Sequence, residues 1–424
     1  MQASGRRMER PHRESRLPAM QAPLPTMFKG RHAPVVRLAV ASLALVSFIG
    51  LAFYGFFSEK LYFLLWALVL AAIAPSLFIP RFGNYLLIFA SVTVPLSLFE
   101  TGAELLKPAA PQLLRSPHFD SISDYPSRYF DASDLGSQPR PGIFRGRKIG
   151  SDGSMIYDVK YTIGNDRFRV TPQKEKSFKS RINFLGCSLM IGEGLGDNET
   201  LPYFFSQKLP DYRVKNFGSH GFGVHQALAI LESDRNTSGE LNFLLTAPWH
   251  GERMVCIARE SASRNPVYIF TEGGDAIRDG DCTEIENNPP PAPSRLARIF
   301  GKSNLGLLMK KSFMDGALQD RQMDLYLAMI KKISILSKER KQKFIVGFVK
   351  ADENYFIGSW SNEKILKQLN TWGIDTIDMT LADRSENIPN IYYIHGEERH
   401  PSAIANERRA SLLADYVLQE RLLH

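Results

Sequence analysis

Cysteine is scarce in this chain, with three residues in 424 at positions 187, 256 and 282. That excludes a disulfide-stapled miniprotein and any Cys-rich metal site. A one-sided charge is missing over most of the length. Residues 105–424 hold 42 Lys/Arg against 39 Asp/Glu, so a nucleic-acid footprint is not expected there. Residues 1–104 hold ten basic and five acidic side chains, and much of the net +8 comes from that stretch. Charge is also nearly absent between residues 38 and 99, where apolar residues crowd together.

Those apolar runs predict a membrane device. Residues 1–37 carry eight Lys/Arg and prolines at 11, 18, 23, 25 and 34, which interrupt any helix and suggest a disordered basic tail. Residues 38–57 are twenty in a row without a charge, and a helix of that length spans ~30 Å, the thickness of a bilayer core. Further runs cover 61–80 and 82–99, so three transmembrane helices are expected within 38–104. The basic tail favours the cytoplasm, and three crossings would place the rest beyond an inner (cytoplasmic) membrane. No Asp, Glu, Lys, Arg or His lies within the three runs, so they read as an anchor rather than an ion pathway.

Beyond a proline-rich linker at 105–154, the pattern becomes one of short strands and helices. Strands are expected at 156–163 and 167–170, joined by Gly164-Asn165-Asp166 as a hairpin turn. Apolar strands ending near Gly186, at 213–217, 241–247, 343–349 and 374–377 then alternate with helices at 200–209, 224–232, 320–339, 361–371 and 403–423. Such alternation predicts an α/β domain over 155–424 with a three-layer, mainly parallel sheet. The stretch 257–300, rich in Gly and Pro, reads as an insertion able to shape or cover a site.

Open α/β sheets bind ligands beyond the carboxyl ends of their strands, and four such ends hold unusual residues. Gly186-Cys187-Ser188 leads into a Gly-rich turn that exposes the Ser188 hydroxyl where backbone N–H groups converge. Gly218-Ser219-His220-Gly221-Phe222-Gly223 allows close backbone approach. Pro248-Trp249-His250-Gly251 follows the most apolar strand. Glu397-Glu398-Arg399-His400-Pro401 precedes the final helix, and an acid two or three residues before His400 is suited to orient its ring.

In these blocks, their order and their spacing, the chain resembles the SGNH (GDSL-like) hydrolases across roughly 155–424. The resemblance implies Ser188 as nucleophile, His400 as base, and the Ser188 and Gly221 N–H groups as oxyanion donors. It places His250 where the family has an oxyanion-binding Asn, and Cys187 where it has an Asp. Either Glu397 or Glu398 stands at the place of the triad acid, Glu397 at the commoner spacing. No cofactor or metal is implied.

The chemistry expected is attack of Ser188 on an ester carbonyl, with His400 taking the hydroxyl proton and later releasing it. The substrate expected from the resemblance is the O-acyl, chiefly O-acetyl, group of an exported or envelope polysaccharide, with synthesis or export proteins as partners. Rival readings are an O-acyltransferase using the same serine, a lipase or thioesterase, and an inactive glycan-binding component. Cys256 and Cys282 are candidates for a disulfide if that side of the membrane is oxidising.

Overall fold

The computed structural model describes residues 33–78, 83–106, 119–120, 129–150, 152–233, 235–254, 264–283, 294–309, 315–382, 388–395 and 398–423. The chain divides into two compact units, one formed by residues 1–106 with 294–306, the other by 107–293 with 307–424.

The first unit contains three helices over the expected runs: α1 (Ala33–Ser58), α2 (Leu61–Phe78) and α3 (Gly83–Leu106). Among the described residues only one helix, Pro34–Ser58, is long and apolar enough to cross a membrane, and Leu61–Ala72 is a shorter apolar helix. The expectation of three transmembrane helices is corrected to one candidate. The reason lies partly in α3, which continues past the apolar run through Glu100 and Glu104 and carries Thr93, Ser97 and Thr101. Those hydroxyls donate to the carbonyls four residues back, at Phe89, Thr93 and Ser97, so the polar groups are satisfied within the helix around Pro95. Residues 1–32 of the expected basic tail and residues 79–82 lie outside the described residues.

Two shorter helices, α7 (Arg295–Lys302) and the start of α8 (Asn304–Met309), also belong to this unit. Residues 294–306 were expected to be the end of an insertion at the active domain and a continuation of it. They pack with the N-terminal helices instead, because Glu59 and Glu100 hold them there.

In the second unit, β1 (Phe119–Asp120), β4 (Gly142–Ile149) and β5 (Met155–Ile163) form one antiparallel sheet, and β2 (Phe130–Ser133) pairs with β3 (Gly136–Pro139). The stretch 105–154 is therefore not simply a linker. Among the described residues Pro139 closes β3 and Pro141 precedes β4, and Gly136 and Gly142 adopt φ of 94° and 143°, angles at the strand starts that ordinary residues avoid. The expected hairpin partner of 156–163 is corrected as well: β5 pairs with β4, and 167–170 contributes only an isolated bridge, Ile163 with Arg169.

The main sheet contains β6 (Ser180–Leu185), β7 (Tyr212–Asn216), β8 (Leu241–Thr246), β11 (Lys343–Phe348) and β12 (Asp375–Asp378) in the order β12-β11-β8-β6-β7, all parallel. β9 (Pro266–Phe270) and β10 (Ala276–Asp281) form a separate hairpin. Successive residues of the central strands enter opposite cores. Leu185, Leu244 and Val346 pack with α6 (Val224–Glu232), α9 (Asp315–Glu339) and α10 (Asn362–Thr371). Phe184, Phe243 and Ile345 pack with α5 (Leu201–Lys208) and α11 (Ala403–Gln419). Both faces are covered, as a parallel sheet requires. On α9 the buried Met323, Tyr326, Leu327, Ile330 and Ile333 recur at helical spacing, each contributing about 1.5–3 kcal/mol by leaving water.

The connection from β6 to β7 leaves β6 on one side, and the chain returns to β8 on the other. The order reverses at β6, so the carboxyl ends of β6 and β8 border the crevice where such sheets take ligands.

Candidate active site

Ser188 starts α4 (Ser188–Ile191), the single turn that follows β6. Cys187 caps it, its Sγ accepting the Leu189 N–H at 3.5 Å, and Gly192 ends it at φ 78°. Cys187 is a buried free thiol and fills this capping place with a small, weakly polar atom. The turn is braced from β7, where Asn216 Nδ2 donates to Met190 O at 3.0 Å and Asn216 Oδ1 accepts the Gly218 N–H at 2.8 Å. A Cβ on Gly218 would lie 2.6 Å from Met190 Cβ and 2.7 Å from Ile191 N, so only glycine lets this loop lie against the serine turn.

A hairpin of β13 (Tyr393–His395) and β14 (Glu398–Pro401) delivers His400. Ser402 then caps α11 through the Ala405 N–H at 3.2 Å. His400 Nε2 lies 2.9 Å from Ser188 Oγ, across 212 residues of sequence. Ser188 is 7% exposed and the His400 side chain 24%, so the pair is enclosed but reachable from solvent.

A carboxylate that sequence reasoning did not assign stands beside them. Glu193 Oε2 is 3.7 Å from His400 Nε2 and 2.8 Å from His220 Nδ1. His220 Nε2 lies 3.0 Å from the buried Tyr129 hydroxyl, and its ring is boxed by Tyr129, Phe130 and Tyr161. His220 Nδ1–H donates to Glu193, while Nε2 shares a hydrogen bond with the Tyr129 hydroxyl. Burial alone would raise the Glu193 carboxyl. The charge and hydrogen bond of His220, with weaker pulls from His400 and Lys148, outweigh burial and lower it to about 2. Glu193 is thus a fixed anion on the Nε2 side of His400.

That side is not where a triad acid belongs, since the acid holds Nδ1. Of the two sequence candidates, Glu397 lies outside the described residues and so does the side chain of Glu398. Gly221 is exposed at φ 70° with nothing within 4 Å of a would-be Cβ, so its conformation rather than crowding demands glycine.

His250 is 1% exposed in the turn after β8. Its Nδ1 lies 3.0 Å from Thr246 Oγ1 and accepts the Ala247 N–H at 3.4 Å, which leaves the proton on Nε2, a buried atom with no partner. Burial, and then the charge of Arg253, push His250 well below its ordinary value, so the ring is a neutral donor. His225 is a second buried imidazole, lowered to about 3 by burial, Arg253 and His250.

Arg169 also escaped the sequence reading. Its side chain is fully buried, and its guanidinium binds Asp197 Oδ1, Ile191 O, Gly192 O, Leu195 O and Lys160 O while lying 4.6 Å over the Tyr161 ring. It clamps the turn that follows Ser188 to β5. Tyr268 is 5% exposed and donates to Glu232 at 2.6 Å, so it belongs to the core. Cys282 is disulfide-bonded, and Cys256 lies outside the described residues.

A cavity of about 950 Å³ lies elsewhere; it runs along β6 and β7 past Arg181, Arg213 and Lys215 and touches neither Ser188 nor His400. It is an open, charged cleft, and the reacting atoms identify the site better than its size does. Among the described residues no group of three or more His, Cys, Asp or Glu is placed to hold a metal ion.

No family model matches this chain, and no curated protein does. Solved structures similar to it include a putative lipolytic protein of the G-D-S-L family from Desulfitobacterium hafniense, 10% identical with a TM-score of 0.30, covering 57% of this chain and 99% of that one. A G-D-S-L lipolytic family member from Veillonella parvula is 13% identical at TM-score 0.30, covering 56% and 96%. An acetylxylan esterase from Geobacillus stearothermophilus is 11% identical at TM-score 0.32, covering 58% and 96%. At scores this low the likenesses carry no weight for the chemistry, which is read from the side chains themselves.

Proposed function

We propose that this protein is a serine ester hydrolase of SGNH type that removes O-acyl groups, chiefly O-acetyl, from an exported or envelope polysaccharide. The observation that carries the reading is the 2.9 Å approach of His400 Nε2 to Ser188 Oγ at the switch point of a parallel sheet. A neutral His400 with its proton on Nδ1 accepts the Ser188 proton as Oγ attacks the ester carbonyl. The imidazolium that forms faces the Glu193 carboxylate, which stabilises it from the Nε2 side.

The oxyanion is taken by Ser188 N–H and Gly221 N–H, with the unpartnered His250 Nε2–H as the third donor, each worth about 2.7–4 kcal/mol in the transition state. Collapse expels the sugar hydroxyl, which takes the proton from His400. Water then attacks the acyl-serine as His400 accepts its proton, and His400 returns that proton to Ser188 Oγ as acetate leaves. Glu397 or Glu398 holds Nδ1 in this reading. The anchor is the apolar N-terminal region, which keeps the α/β unit beside a membrane from which its polymer emerges.

Treatment of the full chain with a serine-directed fluorophosphonate tests the assignment. Mass mapping is expected to find the adduct on Ser188 and to find none in Ser188→Ala; an adduct elsewhere, or none in the parent, refutes it. Acetate release from native glycan then identifies hydrolysis. Ser188-dependent transfer onto deacetylated glycan without acetate release would replace it by acyl transfer.

A further inference from the structure

Helix α7 has two stripes. Arg295, Arg298 and Lys302 fall at i, i+3 and i+7 along one side, while Leu296 and Phe300 fall at i and i+4 on the nearly opposite side. A solvent-facing helix of a soluble domain would turn such leucine and phenylalanine inward. Here Ile299 is the buried contact, and Leu296 and Phe300 are 61% and 39% exposed.

Three moorings fix this helix within the first unit. Glu59, in the turn between α1 and α2, takes Arg298 Nε at 3.4 Å and Lys302 Nζ at 2.5 Å. The Arg295 guanidinium covers the rings of Phe56 and Phe57 at 5.0 and 5.3 Å. Glu100 on α3 accepts the backbone N–H groups of Asn304 and Leu305 at the start of α8.

The level of these contacts is informative. Among the described residues of α1, α2, α3 and the turn between the first two, the charged ones other than Arg37 are Glu59, Lys60, Glu100 and Glu104, and Lys60 pairs with Glu104. All four therefore lie at one end of the helices, and the charge-free apolar surface lies below them. A boundary between apolar and charged levels on a group of outward-apolar helices is where headgroups meet acyl chains. Lys302 remains 65% exposed even with its carboxylate partner.

We propose that α7 is a membrane-interface helix, lying in the headgroup layer of an anionic bilayer with Leu296 and Phe300 in the acyl region and the still exposed sides of Arg298 and Lys302 toward lipid phosphates. The proposal rests on the anchoring part of the reading above, but not on the esterase part. It makes the segment a second, peripheral attachment that enters the membrane surface from the far side of the sequence.

The test uses the full chain in vesicles of phosphatidylethanolamine and phosphatidylglycerol, with a benzophenone amino acid placed singly at Leu296, Phe300, Leu43 on α1 or exposed Ser238 in the second unit. Crosslinks to lipid acyl chains are expected from positions 296, 300 and 43 and not from 238. Replacing phosphatidylglycerol by phosphatidylcholine should lower the yield at 296 and 300 about fivefold and leave 43 unchanged. Lipid adducts from 43 but from neither 296 nor 300 overturn the interface helix and leave the anchor standing. Absence of adducts from 43 as well overturns the anchor reading and the proposal with it. Equal yields in both lipid mixtures overturn the role of the cations.

Discussion

The helical unit turns its large apolar side chains outward, whereas the α/β unit encloses them and encloses polar groups besides. On α1, Leu43, Val46 and Phe53 are 69%, 68% and 66% exposed, while every residue of β8 is buried, Asn242 included. Buried Asn183 and Asn242 face each other across adjacent strands, and their Nδ2 groups reach Thr237, Ser337 and Gln342, so the sheet interior holds a polar network whose amide donors are paired within the protein. The same principle, that polar groups need partners and apolar groups need to leave water, is thus answered by outside solvent in one unit and by internal packing in the other. A consequence is that chemistry concentrates in the second unit, where enclosed charges hold unusual protonation states.

The largest expected effect tests that concentration. Ser188→Ala should lower hydrolysis of a short aryl ester by about 10⁴-fold with the fold unchanged. Activity within tenfold of the parent would move the chemistry away from this strand end.

Next in size is Arg169→Ala, which strips five acceptors of a buried donor and should cost about 3–5 kcal/mol in denaturant unfolding. A loss under 1 kcal/mol would mean that water replaces the guanidinium and that this interior is not closed.

Acid sensitivity comes third. His225, lowered from 6.5 to about 3, contributes stability that is complete above pH 6.5 and is lost as pH falls toward 3, because only the unfolded chain takes the proton. Glu193, lowered from 4.5 to about 2, contributes stability complete above pH 4.5 and lost as pH falls toward 2. Glu193→Gln should therefore remove about 3 kcal/mol above pH 4.5 and almost nothing near pH 2. An effect independent of pH would show a packing role in place of a charge. The same variant should move the acid limb of the ester kcat/KM profile toward lower pH, because the Glu193 anion favours the protonated His400 ring; an unmoved limb would separate Glu193 from His400.

The smallest effect belongs to the helical unit. Leu43→Ala in detergent should shift unfolding by less than about 0.5 kcal/mol. A cost of about 2–5 kcal/mol, the range of a core leucine, would make α1 an interior helix and erase the contrast.

Much of the sheet was legible along the chain. The strands expected at 213–217, 241–247, 343–349 and 374–377 match β7, β8, β11 and β12 to within a residue or so at each end, because apolar runs bounded by glycine and charge mark strands buried on both faces. The first helix of the apolar region was equally plain. Illegible were the partners chosen at long range. β5 took β4 and not the neighbour after Gly164-Asn165-Asp166, since the longer register from 142 to 149 offers more ladder bonds than a four-residue strand.

The site divides in the same way. The sequence by itself determined the apolar runs, the alternation that makes a parallel sheet, and the glycine turns around Ser188 and Gly221, because these depend on periodicity and on single-residue backbone freedom. Tertiary structure alone decided that Tyr129, Glu193 and His220 would meet beside His400, that Arg169 would disappear into the turn after Ser188, and that residues 295–302 would join the N-terminal helices. Those outcomes depend on which distant groups can satisfy a charge taken out of water, and no local pattern carries that information.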